Sequence, residues 1–199
     1  MQSVAIQAGG QSRRMGQDKA LLPFLGRPLI ERVIQRVISL GEELIITTNN
    51  PGDYLEFNLP LHTDLLPGQG ALGGLYTALS VCQFPVVIVV ACDMPFVNAG
   101  ILASSVKMLH LSDTDVVIPH TEEGYEPFHA VYRRETCLPA VEGAIISGEK
   151  RLISWFPAMK ITPFPEDELL AYDPRGIAFM NLNNREEFEL AESLAKEVD

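Results

Sequence analysis

The residues best suited to chemistry crowd into one stretch, "VAIQAGGQSRRMGQDKALL", which begins at Val4. Gly9 and Gly10 close a short apolar run, and Arg13, Arg14, Gly16, Asp18 and Lys19 follow directly. Glycine lets the backbone turn sharply and approach a ligand closely. Successive free N–H groups form a concavity that binds anions, and Arg13, Arg14 and Lys19 add full positive charges. Together they suit a polyphosphate. Neither the P-loop pattern G-x-x-x-x-G-K-[ST] nor the dinucleotide pattern G-x-G-x-x-G is present. Any one of these glycines taken alone reads better as a tight strand-to-helix connection; it is the set that points to phosphate.

Two carboxylates lie where such a loop would need them. Asp93 closes the run "PVVIVVACD", which puts a partly desolvated carboxylate at a sheet rim. Mg²⁺ commonly takes one or two protein carboxylates plus substrate phosphates; the plain alternative is a turn aspartate before Pro95. Asp64 ends a short apolar segment. An ionised carboxylate only accepts hydrogen bonds, so it can take the ring N–H and exocyclic amine of guanine; it can also be a turn residue before Pro67. Gly70, Gly73 and Gly74 fit either close approach of a nucleoside or helix packing. His62, His110, His120 and His129 show no metal-ligand spacing, which points to core or surface roles. No serine or cysteine sits in a nucleophile motif.

These residues need elements that bring them to one edge. Ser3–Gln7, Leu44–Thr48, the "PVVIVVACD" run and "DVVIP" read as buried strands, and a short strand ends near Asp64. The continuous apolar run suits a central parallel strand covered on both faces. Leu29, Ile30, Val33, Ile34, Val37 and Ile38 form a helical stripe within Pro28–Leu40, stopped by Gly41. Further helices are expected from the glycine-rich segment to about Cys82, from the Asn98 cap to about His110, around Thr136–Ser147, and from Arg185 to Lys196. "EPFHAVYRR" reads as a strand, with others near Ile161 and at Ala178–Leu182. Alternating strands and helices imply a three-layer α/β/α, Rossmann-like domain with a mostly parallel central sheet, spanning 1–199 as a single domain. Ligands bind at the carboxyl ends of such strands, and Gly9–Gly10, Asp64 and Asp93 each follow one.

Composition narrows the partners. The chain has 199 residues, a net charge of −11 and 47% hydrophobic residues. A broad basic face for nucleic acid is not expected at that charge. Cys82, Cys92 and Cys137 are odd in number and form no C-x-x-C pair, which suggests reduced thiols and a cytoplasmic setting. No signal peptide is evident, and the longest apolar run falls far short of the roughly 20 residues of a membrane span.

The stretch "AGGQSRRMGQDKALL" resembles the N-terminal signature of the molybdenum cofactor guanylyltransferases, within the wider nucleotidyltransferase group. "GALGGL" after Asp64, "ACDMPFV" around Asp93 and "FMNLNN" near the end follow in the matching order. Molybdopterin cytidylyltransferases usually read "AAG" where this chain has "AGG". The resemblance implies that Ala8, Gly9 and Gly10 line GTP and that Lys19 contacts its phosphates. It implies that Asp64 reads guanine, that Asp93 binds nucleotide and Mg²⁺, and that Asn181 and Asn183 lie on the molybdopterin side. The catalytic candidates are Arg14, Lys19 and Asp93. The chain departs from the family at Gln7, where leucine is common, and at Asn184–Arg185, which replaces a frequent Thr-Pro. Thr47 stands where a family asparagine contacts nucleotide, with Asn49 close by.

The activity so implied is GMP transfer from GTP to the terminal phosphate of molybdenum-molybdopterin, releasing pyrophosphate. A molybdenum insertion protein and recipient molybdoenzymes are the implied partners. Two other readings are open: transfer to another small phosphate, including cytidylyl or sugar-phosphate transfer, and a non-catalytic GTP-binding module that delivers cofactor.

Overall fold

A computed structural model describes residues 1–8 and 18–198. Gly9, Gly10 and Arg14, all candidate site residues, lie outside the described residues, as do Arg13 and Gly16. In chain order the elements are β1 (Gln2–Gln7), β2 (Pro23–Phe24), β3 (Arg27–Pro28), α1 (Leu29–Val37), β4 (Glu43–Thr47), β5 (Leu61–His62), α2 (Gly70–Val81), β6 (Val86–Ala91) and α3 (Ala99–Leu111). They continue with β7 (Val116–Ile118), β8 (His120–Thr121), β9 (Gly124–Tyr125), β10 (His129–Arg133), α4 (Arg134–Ile146), β11 (Ile161–Pro163), α5 (Glu166–Tyr172) and α6 (Arg185–Val198).

β6 is buried at every position, as its unbroken apolar run requires. It sits at the centre of a seven-stranded sheet ordered β11-β7-β10-β6-β1-β4-β5. β1 runs parallel to β4 and β6, β4 to β5 and β7 to β11. β10 alone in that sheet runs antiparallel to both neighbours. The apolar side chains alternate between two layers. Ala5, Val87 and Val89 pack under α2 and α4, while Val4, Ile88 and Val90 pack under α1 and α3. A smaller cluster joins α6 to Phe24, Leu29 and Phe96. The three-layer architecture and mostly parallel sheet therefore agree with expectation.

The cap read at Asn98 is present: its Oδ1 accepts from Gly100 N at 2.9 Å and Ile101 N at 3.1 Å. At the far end of α3, and of α2, the last carbonyls are met by side chains from one place. Arg133 Nη2 donates to Leu109 O at 2.9 Å and its Nε to Thr114 O at 3.1 Å. Arg134 Nε donates to Leu79 O at 2.7 Å. Cations at helix C-termini satisfy unpaired carbonyls and complement the helix dipole.

One expectation changes, and two elements are added. The strand expected at Ala178–Leu182 does not form. Asp173 takes Ile177 N and Ala178 N at 3.1 and 2.7 Å, Met180 N bonds to Ile177 O, and Leu182 N bonds to Asp93 O, so no edge remains for a ladder. After β4 the chain forms a 3₁₀ segment, Pro51–Phe57. Between β11 and α6 the chain forms α5, whose first turn is acidic throughout. Among the described residues no helix is long and apolar enough to cross a membrane.

Candidate active site

Strand register explains why the candidate residues meet. Gln7 pairs with Thr47 on one side and Ala91 on the other, and Thr47 pairs with His62. The next residues of each strand therefore emerge at one rim. Ala8 N donates to Thr47 O at 2.8 Å, Cys92 N to Gln7 O at 3.0 Å and Thr48 N to His62 O at 2.8 Å. Ala8 is buried at this rim, with Asp64 and Asp93 just beyond.

Asp64 is half-buried and held by Asn49. Asn49 Nδ2 donates to Asp64 Oδ2 at 2.8 Å, and Asp64 N donates to Asn49 Oδ1 at 3.3 Å. Thr47, by contrast, is buried in β4. Asn49 rather than Thr47 thus presents a side chain at the rim, in contact with the residue expected to read the base. A carboxylate has room for about four hydrogen bonds, so this pairing orients Asp64 and leaves acceptor capacity toward a ligand.

Asp93 follows β6 and is half-buried. Burial raises its carboxyl above the usual carboxylate range, the charge of Lys19 opposes that shift, and Glu187 adds to it. Lys19 and Asp93 are therefore electrostatic neighbours. Burial also pushes the adjacent Cys92 thiol well up, so it stays protonated. Lys19 begins a short turn, Lys19–Leu21, capped by Asp18, and its Nζ donates to Asn183 Oδ1 at 3.2 Å.

The segment before α6 is tied to the same place. Leu182 N donates to Asp93 O at 3.1 Å, and Asn183 N donates to the Glu187 carboxylate. Asn183 thus stands beside Lys19, whereas Asn181 Nδ2 folds back on Phe179 O at 3.1 Å. On the opposite flank, Arg32 of α1 donates from Nε to Pro95 O at 2.8 Å. Its guanidinium lies 5.4 and 5.5 Å from the Phe24 and Phe96 ring centroids. This contact pins the loop that carries Asp93.

The glycines of the "PGQGALGG" segment divide by role. Gly70 opens α2 at φ +58°, a conformation that favours glycine. A Cβ on Gly73 would fall 2.8 Å from Gln69 Cβ and 3.1 Å from Leu66 O, and one on Gly74 would fall 2.6 Å from Gln7 Oε1. Gly73 and Gly74 therefore serve helix packing. Gln7 is buried, and its Nε2 has no partner among the described residues. A buried donor left unpaired costs about 1–3 kcal/mol. Gln7→Leu is accordingly expected to raise stability by about 1 kcal/mol, read as a higher urea midpoint at unchanged slope. A lower midpoint would show that the amide is satisfied.

The metal question rests on donor chemistry. Among the described residues no group of three or more His, Cys, Asp or Glu side chains is gathered to hold a metal. A single half-buried carboxylate beside a lysine fits Mg²⁺ that arrives on substrate phosphates. The sequence reading gave Asp18 no role of its own and did not mark Tyr54. Asp18 carries a readable signal, an aspartate immediately before a helical turn. Tyr54 carries none, because its partner is 36 residues away.

Comparison with known proteins identifies the family. The model of the MobA-like NTP transferase domain matches residues 4–161. A molybdenum cofactor guanylyltransferase of Desulfosudis oleivorans is 35% identical over 192 residues, covering 96% of this chain and 94% of that protein. A probable molybdenum cofactor guanylyltransferase of Carboxydothermus hydrogenoformans is 34% identical over 190 residues, covering 94% and 93%. The crystal structure of molybdopterin-guanine dinucleotide biosynthesis protein A from Archaeoglobus fulgidus superposes with a TM-score of 0.84 at 26% identity, covering 99% of this chain and 100% of that one. On this full-length likeness the chain belongs to the MobA-like NTP transferase family, beside relatives named molybdenum cofactor guanylyltransferases.

Proposed function

We propose that the chain transfers GMP from GTP to the terminal phosphate of molybdenum-carrying molybdopterin, giving molybdopterin guanine dinucleotide and pyrophosphate. The observation that carries this reading is the meeting of Lys19, Asp93 and the Leu182–Asn183 segment at one rim, with the Asn49–Asp64 pair on it. The names of the full-length relatives support the choice of substrates.

In this reading a phosphate oxygen of molybdopterin attacks the α-phosphorus of GTP. A new P–O bond forms, the α–β bridge breaks, and the electron pair leaves on pyrophosphate. A phosphate monoester has a second pKa near 6, so the attacking group is largely dianionic at neutral pH and needs little general-base help. The chain's own part is orientation and charge. Lys19 opposes charge gathering on the leaving group. Asp93 would hold Mg²⁺, which when bound spreads charge over phosphate oxygens. Asn183, beside Lys19, faces the acceptor.

Asp64 carries base choice. Facing guanine it accepts two hydrogen bonds; facing adenine it meets a ring nitrogen with no proton. Leaving a charged acceptor unpaired costs about 1–3 kcal/mol, one to two decades of discrimination. GTP is therefore expected to be used over ATP and CTP, and Asp64→Asn to erode that preference about 10- to 100-fold. Competition among the three nucleotides, with Mg²⁺ and molybdenum-loaded molybdopterin and identification of the dinucleotide product, tests both statements. A wild-type preference for CTP would replace the guanylyl reading with the cytidylyl one. GTP binding without pyrophosphate release would leave a delivery module.

A further inference from the structure

Tyr54 lies in the 3₁₀ segment after β4, and its side chain is wholly buried. The ring packs near Phe57, with centroids 6.1 Å apart. Its hydroxyl donates to Asp18 Oδ2 at 2.7 Å. The other oxygen of Asp18 accepts from Ala20 N at 3.1 Å. Leu21 N and Leu22 N then close onto Asp18 O and Lys19 O at 3.1 and 3.2 Å. The turn that carries Lys19 is therefore capped by one carboxylate, and that carboxylate is fixed by one phenol.

The chemistry of the pair favours a fixed strut. A capping carboxylate held by one N–H can swing about its terminal bond toward water. A second donor on its other oxygen removes that freedom. Burial, with the charge of Asp18 adding to it, raises the Tyr54 phenol far above the usual tyrosine range, so the donor is present at every working pH. A phenol donating to a carboxylate is also a charge-assisted bond, stronger than a neutral one.

We propose that Tyr54 is a positioning residue for Lys19: through Asp18 it holds the Lys19–Leu21 turn so that the ammonium meets the substrate phosphates without reorganising. Its kinetic part rests on the nucleotidyl-transfer reading, whereas its structural part, the holding of the turn, does not.

Tyr54→Phe removes the hydroxyl and keeps the buried ring. Amide exchange at Ala20 is expected to quicken about tenfold, the worth of one lost hydrogen bond, with β6 amides exchanging at the wild-type rate. The same variant is expected to lower kcat about tenfold, with a smaller change in KM for GTP. In a Lys19→Ala background the added substitution is expected to change kcat less than about twofold, because residues acting through one group are not additive. Asp18→Ala removes the cap itself as well as the acceptor of the buried phenol and is expected to give losses at least as large. Unchanged exchange at Ala20, or an equal fall in kcat with and without Lys19, would overturn the proposal. If the wild-type chain releases no pyrophosphate, the transfer reading fails, and the exchange measurement still decides whether Tyr54 holds the turn.

Discussion

Asp93→Asn is expected to leave the fold intact and to lower kcat about 10³-fold, because metal-borne charge stabilisation contributes several kcal/mol to such a step. The substitution keeps the size of the side chain and the Asp93 carbonyl that receives Leu182 N. It removes only the charge that faces Lys19 and would hold Mg²⁺. The sign of the pH effect follows from the burial that raises the Asp93 carboxyl. The carboxylate is ionised above that raised pKa, so wild-type activity falls as pH drops through it, at a higher pH than an ordinary aspartate would give. Steady-state rates across pH at several Mg²⁺ concentrations check this. Extra Mg²⁺ is expected to move the acid limb lower in the wild type and to have no such effect in Asp93→Asn. Wild-type turnover in the variant at ordinary Mg²⁺ would refute the role.

The second large effect concerns stability and centres on His129. The imidazole is wholly buried at the start of β10. Its Nε2 accepts from Asn98 N at 3.0 Å, which places the proton on Nδ1, and it meets the Phe179 ring edge-on at 4.9 Å. Burial lowers its pKa from 6.5 to about 4. The folded chain therefore refuses a proton that the unfolded chain accepts. Stability is whole above pH 6.5 and is lost as pH falls toward 4, by about 3 kcal/mol at 1.36 kcal/mol per pKa unit. Half-buried Glu126 works in the opposite sense, since burial raises its carboxyl. The clean measurement is thus a difference. Denaturant unfolding at pH 7 and pH 4 is expected to show the wild type losing about 3 kcal/mol more than His129→Gln, which can still accept from Asn98 N but cannot be protonated. Equal losses would mean that His129 takes up its proton within the fold.

The rim was legible because its signals are local. A continuous apolar run names a covered strand, and a carboxylate after it names the strand end. What escaped depends on contacts distant in sequence. The apolar run of β10 says nothing about direction, so its antiparallel insertion between β6 and β7 could not be read. That reversal is what brings His129 to the end of β6 that carries Asp93. The spacing of Ala178 and Leu182 matched a strand, yet the Asp173 carboxylate captured the N–H groups a ladder would need. Asp64 was read as a lone carboxylate, whereas its orientation belongs to Asn49, on another strand end. α5 was within reach: "EDEL" behind Pro165 is an acidic first turn and a helix-start signal.

Arg133 and Arg134 have a consequence for how the molecule comes apart. Neighbouring residues at the end of a strand point to opposite faces of the sheet, so one dipeptide fastens the tail of α3 above and the tail of α2 below. The two helical layers consequently share a rivet through the sheet. Peeling α3 away withdraws Arg133, disturbs the backbone of Arg134 and loosens α2 with it. The two layers are therefore expected to open together rather than one at a time, which would shield the rim at the other end of those helices from partial opening.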